Sequence, residues 1–166
     1  MWRDPGSADG IFDVMIDAVA EANDLIARNQ RTLLDIRALV DPLRMSDLPR
    51  VTASGWSVSA TLAHLAFWDD WVAERWRRWL EKGRFDDLPD DLTELVNAAG
   101  IRIWNLARPE LVKATVVEAA EAVAIAIAEL PEAALHDAIA TRRLAMIDRS
   151  LHWAPHLHEI AEAMEP

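Results

Sequence analysis

The sequence predicts an all-α protein, a bundle of four long helices joined by shorter pieces. Alanine, leucine and glutamate are abundant, and only five glycines are spread over 166 residues. No run alternates apolar and polar residues between turn signals, as a half-buried strand would. A chain of this length fits one domain, residues 1–166, able to bury about 70 % of the surface its unfolded form exposes.

Apolar residues at Ile11, Phe12, Met15, Ile16, Val19, Leu25, Ile26, Leu33, Leu34, Ile36 and Val40 recur mostly in threes and fours. That spacing predicts a first helix over Gly10–Val40. It should stop near Asp41, because Pro42 disfavours helical geometry at the residue before it. Pro42–Gly55, with Pro49, Thr52 and Ser54, reads as an irregular loop. The second helix, Ser57–Lys82, is the best delimited: Ser57 can cap its N-terminus, and Gly83 suits a left-handed C-terminal cap. Leu62, Leu65, Trp68, Val72, Trp76 and Trp79 mark its core-facing stripe.

Phe85–Asp91 reads as a turn. Helical patterning resumes through Leu92–Leu106 and again over Pro109–Leu130, where Pro109 suits the first turn. Pro131–Thr141 is ambiguous, and a last helix should cover Arg143–Met164. No repeat of fixed period is present, which disfavours a helical solenoid.

Charge and composition exclude several function classes. Seventeen basic residues stand against 28 acidic ones, a formal net charge of −11. That excess repels polyphosphate, so neither nucleic acid nor an anionic membrane is expected as a partner. Without a cysteine there is no disulfide framework, thiolate zinc site, iron–sulfur cluster or cysteine nucleophile. The first twenty residues carry Asp4, Asp9, Asp13 and Asp17 and lack the basic-then-apolar pattern of a secretory signal. The longest charge-free piece of the most apolar stretch, Ala122–Ala128, is far short of the ~20 residues that span a bilayer. The chain reads as soluble and cytoplasmic.

The chemistry rests on histidine. His152 and His156 are four residues apart, which on a helix places both rings on one face. Two imidazoles so placed can bind one metal ion. His64 alone reads as a core histidine satisfied by one partner. With the pair, it completes a three-imidazole set that leaves positions open for water or substrate. His158 lies ~200° around the helix from His156 and cannot share the site. His136 reads as a surface residue. The zinc-protease pattern fails at His158-Glu159, because position 162 is Glu. The paired Glu-x-x-His pattern of di-iron bundles is also missing. Asp148, four residues before His152, is placed to orient that imidazole from outside.

Four of the eight tryptophans, Trp68, Trp71, Trp76 and Trp79, fall on the second helix. Trp68 and Trp71 follow His64 by four and seven residues and can line a pocket beside it, or simply pack. Trp153 is a further candidate. Arg75, Arg77 and Arg78 read as a solvated face or as a surface that meets an anionic ligand.

Gly55–Trp68 (GWSVSATLAHLAFW), Asn97 in an acidic connecting helix and the terminal HWAPHLHEI together resemble the DinB/YfiT-like superfamily of metal-dependent enzymes. Within it, the chain is similar to the branch related to the N-terminal domain of mycothiol-dependent maleylpyruvate isomerase. The resemblance covers nearly the whole chain. It rests on tryptophan-serine opening the second helix, a histidine eight residues after that tryptophan, and HxxxH near the end.

The resemblance implies a four-helix bundle with a long crossover connection and a metal held by His64, His152 and His156. Zinc, nickel and ferrous iron all accept imidazole ligands. Proton competition should weaken binding as pH falls through about 6.5. For activity, the resemblance implies S-transfer or isomerisation of a small electrophile with a low-molecular-weight thiol such as mycothiol or bacillithiol. A non-catalytic binder of small molecules and a helical interaction protein whose histidines merely pack are the alternatives. The family implies a homodimer, and the tryptophans of the second helix are numerous for one small core. Pro155 departs from the family pattern. It predicts either a kink or a fresh helix start, and the second would displace His152.

Overall fold

The computed structural model describes the backbone of residues 8–89 and 91–165 and the side chains of residues 23–89 and 91–165. The apolar positions Ile11, Phe12, Met15, Ile16 and Val19, and the acidic N-terminal residues read against a secretory signal, lie outside the described side chains. The described residues form α1 (Ala8–Val40), α2 (Val58–Lys82), α3 (Leu92–Trp104), α4 (Pro109–Ala128), α5 (Glu132–Ala140) and α6 (Ser150–Met164). A short 3-10 helix, Leu144–Met146, stands between the last two. Among the described residues there is no strand, only an isolated bridge between Val51 and Ser57. The protein is all-α, and no described helix is long and apolar enough to cross a membrane.

Local chemistry sets the boundaries. Ser57 Oγ accepts the Ala60 N–H at 3.1 Å to open α2. Gly83 closes it at φ 70°, ψ 13°, a left-handed conformation that a side chain would resist, and donates its N–H to Trp79 O. Lys113 on α4 donates to Asp41 O and Leu43 O and so satisfies carbonyls where α1 runs out. Pro131 falls just past the end of α4 and opens α5, so the ambiguous stretch is mostly helical.

One expected element needs correcting. The last helix begins at Ser150 rather than Arg143. Arg142 takes a left-handed backbone conformation at φ 55° and turns the chain after α5. Asp148 Oδ1 then accepts both the Ser150 N–H and the Ser150 hydroxyl, which starts α6 afresh.

Helix α2 packs along α4 and also meets α3 and α6, while α1 packs on α4 and α6. Two apolar clusters result. One gathers Ile36, Val40, Leu62, Leu65, Val116, Trp153 and Ile160, and the other Leu25, Val72, Trp76, Trp79, Phe85, Val123 and Ile147. Asn29 on α1, Asp69 on α2 and Arg149 before α6 fall between them in chain order, and all three are buried. Each is paired. Asn29 donates to Ile147 O at 2.7 Å and accepts the Arg149 N–H at 2.8 Å. A polar layer thus divides the core where α6 begins.

Candidate metal centre

The cap at Ser57 places His64 two turns into α2, on the face turned toward α6. It is 3 % exposed. Indole rings surround it: Trp104 at 4.8 Å, Trp56 at 5.1 Å and Trp68 at 6.4 Å between centroids. Trp104 reaches that position because Gly100, one turn earlier on α3, has no side chain. A Cβ there would stand 2.6 Å from the Trp104 ring.

Helix α6 runs through Pro155 without a break, so His152 is not displaced. The lost hydrogen bond frees the Leu151 carbonyl, and both residues are exposed, where water can satisfy it. His152 and His156 therefore stay one turn apart, their ring centroids 5.3 Å from each other. They lie 5.2 Å and 5.0 Å from the His64 ring. One nitrogen from each ring falls within 4.8 Å of the others, and the Nε2 atoms of His64 and His152 are 3.2 Å apart. Three imidazoles on a tetrahedral zinc ion would hold their nitrogens about 3.3 Å apart. The donor set fits a divalent ion with small ring movements.

The surroundings keep these rings neutral. Burial first, then the His156 and Arg149 charges, push His64 down to about 4. Burial first, then Arg149 and the two other imidazoles, push His152 down to about 2. Burial also lowers His156, against an upward pull from Glu159. Neutral imidazole is the form a metal needs. The Nδ1 atoms of His64 and His156 are buried without a hydrogen-bond partner among the described residues. The Glu159 carboxylate lies 3.8 Å from His156 Nδ1, too far for a hydrogen bond.

The group that orients His152 is Arg149, not Asp148. Arg149 Nη2 lies 3.0 Å from His152 Nδ1, and Arg149 Nε donates to Asp69 Oδ1 at 2.8 Å. Burial pushes the Asp69 carboxyl up, against the pull of Arg149 and Trp153. Trp153 donates its indole N–H to Asp69 Oδ2 at 2.9 Å and is 1 % exposed, so it belongs to the core and does not line the cavity beside the histidines. Asp148 instead accepts the Ser150 N–H just ahead of α6 and pairs with Arg28 at 3.1 Å.

The histidines open onto a cavity of about 540 Å3, the size of a small-molecule site. Trp68 and Trp71 line it, as their spacing from His64 suggests, together with Trp56, Asn97, Arg75 and Arg143. Asn97 on α3 accepts the Trp68 indole N–H at 3.0 Å, which ties α3 to the cavity wall. Of the basic cluster on α2, only Arg75 faces the cavity. Arg77 and Arg78 are exposed and paired with Glu74, Glu81 and Asp86. His158 is exposed beside Glu162 and His136 beside Glu132, and neither joins the cluster.

Sequence reasoning missed the Arg149–Asp69 pair, Arg143 and the role of Trp104. Arg149 carried a signal, since it precedes His152 by three residues. The other partners are distant in sequence and carried none. Comparison with protein-family models, with curated proteins and with solved structures returned no match.

Proposed function

We propose that this chain is a metal-dependent enzyme of the DinB-like kind, a four-helix bundle with a long crossover connection that works in the cytoplasm. His64, His152 and His156 would hold one divalent ion, zinc, nickel or iron. The substrate would be a small electrophile, and the reaction S-transfer or isomerisation with a low-molecular-weight thiol. One observation carries this reading: three neutral imidazoles, His64 buried and His152 and His156 half-buried, converge at a cavity large enough for a small molecule. An ion held there would acidify a thiol or water and leave positions open for it.

The rest falls to the chain itself. Trp56, Trp68 and Trp104 exclude water from the His64 side, and the Trp68–Asn97 bond fixes the wall facing the ligand. No cysteine is present, so the sulfur must arrive with a substrate. A second reading, a binder that sequesters a small molecule without turnover, draws on a different observation. Among the described residues, the cavity lining offers no carboxylate beside the histidines to move a proton.

Elemental analysis of protein purified without a histidine tag, followed by thiol consumption against a panel of electrophiles, separates these readings. Metal with metal-dependent thiol loss supports the enzyme. Metal without thiol loss supports the binder, and protein that takes up no metal overturns both as metal-centred accounts. The proposal includes a homodimer, with no nucleic-acid or membrane partner. Light scattering that returns a mass near 18.6 kDa counts against the dimer.

A further inference from the structure

Among the described residues, the charged groups that line the cavity are three arginines, Arg75, Arg143 and Arg149; the nearby Asp86 carboxylate lies outside the lining and pairs with Arg78 and Lys82. This is unexpected in a chain whose formal net charge is −11. Arg149 is neutralised, because its guanidinium sits on the fully buried Asp69 at 2.8 Å. The other two are not. Among the described residues neither Arg75 nor Arg143 has a carboxylate partner within ion-pair distance. The one hydrogen bond of Arg75 goes from Nη2 to the backbone carbonyl of Asp86, at 3.2 Å.

Phe85 gathers the two guanidiniums. Their central carbons lie 5.1 Å (Arg75) and 4.6 Å (Arg143) from its ring centroid. Both side chains are half-buried, and Phe85 itself is buried. The left-handed turn at Arg142 brings Arg143 to this place, and α2 brings Arg75. Burial first, then the neighbouring Arg143 charge, hold the Arg75 guanidinium below its ordinary value, against an upward pull from Asp86. Two like charges packed together, with most of their N–H donors unused, are costly unless an anion joins them.

Position in the cavity adds to the argument. Arg75 follows His64 by eleven residues, which is about 16 Å along a helix and only ~20° around it. The histidines and the arginine pair therefore occupy two ends of one cavity, with Trp68 and Trp71 on the wall between. We infer that Arg75 and Arg143 form an anion subsite, and that the ligand of this cavity is a small organic carboxylate. Its carboxylate lies against the two guanidiniums, its apolar body lies along the tryptophans, and its far end faces the three histidines. A carboxylate matches the planar donor fork of arginine, and the net charge of the chain disfavours polyphosphates. The inference rests on the reading of the cavity as a substrate site and specifies the class of substrate.

The test uses metal-stripped full-length protein and a series of ω-phenylalkanoates from phenylacetate to phenylhexanoate. Binding is followed by tryptophan fluorescence and calorimetry. At least one member should bind saturably, and its carboxamide should bind roughly ten- to hundredfold more weakly. Arg75→Gln and Arg143→Gln should each cost a similar factor for the acid and leave the amide unchanged. The acid-to-amide comparison needs no variant, so it stands even if a substituted protein folds poorly. His64→Ala should retain the preference for the acid. No saturable binding up to about 10 mM, equal binding of acid and amide, or a preference for the matching phosphonate would each overturn the carboxylate subsite. So would an acid preference that persists in Arg75→Gln/Arg143→Gln but disappears in His64→Ala. An arginine-dependent preference in protein that takes up no metal would leave the subsite standing while the metal-enzyme reading fails.

Discussion

Arg149 Nη2 lies 3.0 Å from His152 Nδ1, and the same guanidinium is anchored on the buried Asp69 carboxylate. A guanidinium can only donate, so this contact places the proton of neutral His152 on Nε2, facing His64 Nε2 at 3.2 Å. Ligation through Nε2 asks for the opposite tautomer, with Nδ1–H donating to an acceptor. Metal loading must therefore move the His152 proton and turn Arg149 aside. The cation also adds to the positive charge already beside the ring.

The first prediction concerns that conflict. Asp69→Asn/Arg149→Gln keeps a neutral hydrogen-bonded pair and offers an amide oxygen to Nδ1–H. Zinc should bind about tenfold more tightly to this variant than to the natural chain, the scale expected for an outer-shell partner. Chelator competition measures it. The single change Asp69→Ala should instead cost about 3–5 kcal/mol of folding stability by urea denaturation, since it leaves Arg149 buried and unpaired.

Acid sensitivity follows from the buried imidazoles. His64 has a folded-state pKa of about 4, below its ordinary 6.5, so the unfolded chain binds a proton that the folded chain refuses. Its effect is absent above pH 6.5. Stability then falls as pH drops from 6.5 toward 4, by about 3 kcal/mol at most from this residue. Metal-free His64→Phe should show a weaker loss of urea midpoint between pH 7.5 and 5 than the natural chain. Proton competition with a metal should likewise set in below the pH near 6.5 expected for free imidazole.

Gly100 holds space for Trp104. Gly100→Ala would put a Cβ 2.6 Å from a rigid indole that packs on His64. The ring must shift, at a cost of about 1–3 kcal/mol. A lower urea midpoint together with a changed tryptophan emission spectrum is the expected outcome. Unchanged values would show that Trp104 does not brace His64.

Pro155 has the opposite sign. Pro155→Ala restores a donor to the Leu151 carbonyl and should stabilise the protein by up to ~3 kcal/mol, with metal content unchanged. A loss of metal in this variant would mean that the proline shapes the site.

The HxxxH pair was legible because its spacing is local, whereas His64, 88 positions from His152, joins it through a tertiary contact that the family resemblance implied. HxxxH spacing fixes two rings on one helix face, and the +4 and +7 offsets of Trp68 and Trp71 from His64 place them on the same wall. The capping residues Ser57 and Gly83 were legible for the same reason. The start of α6 was not, because Leu144, Met146 and Ile147 keep a helix-like spacing while Asp148 captures the Ser150 N–H and restarts the chain. Nor could spacing reveal the pairing of Asp69 with Arg149, 80 positions away, or the meeting of Arg75 and Arg143 at Phe85. These are tertiary contacts between polar residues that sequence patterns count as surface.

Zinc titration of the metal-stripped chain beside His152→Ala and His158→Ala tests the three-histidine centre most directly. The natural chain and His158→Ala should each bind one ion per chain with equal affinity. His152→Ala should bind it roughly a hundredfold or more weakly, since two imidazoles remain. Equal affinity in His152→Ala, or loss confined to His158→Ala, would contradict the assignment.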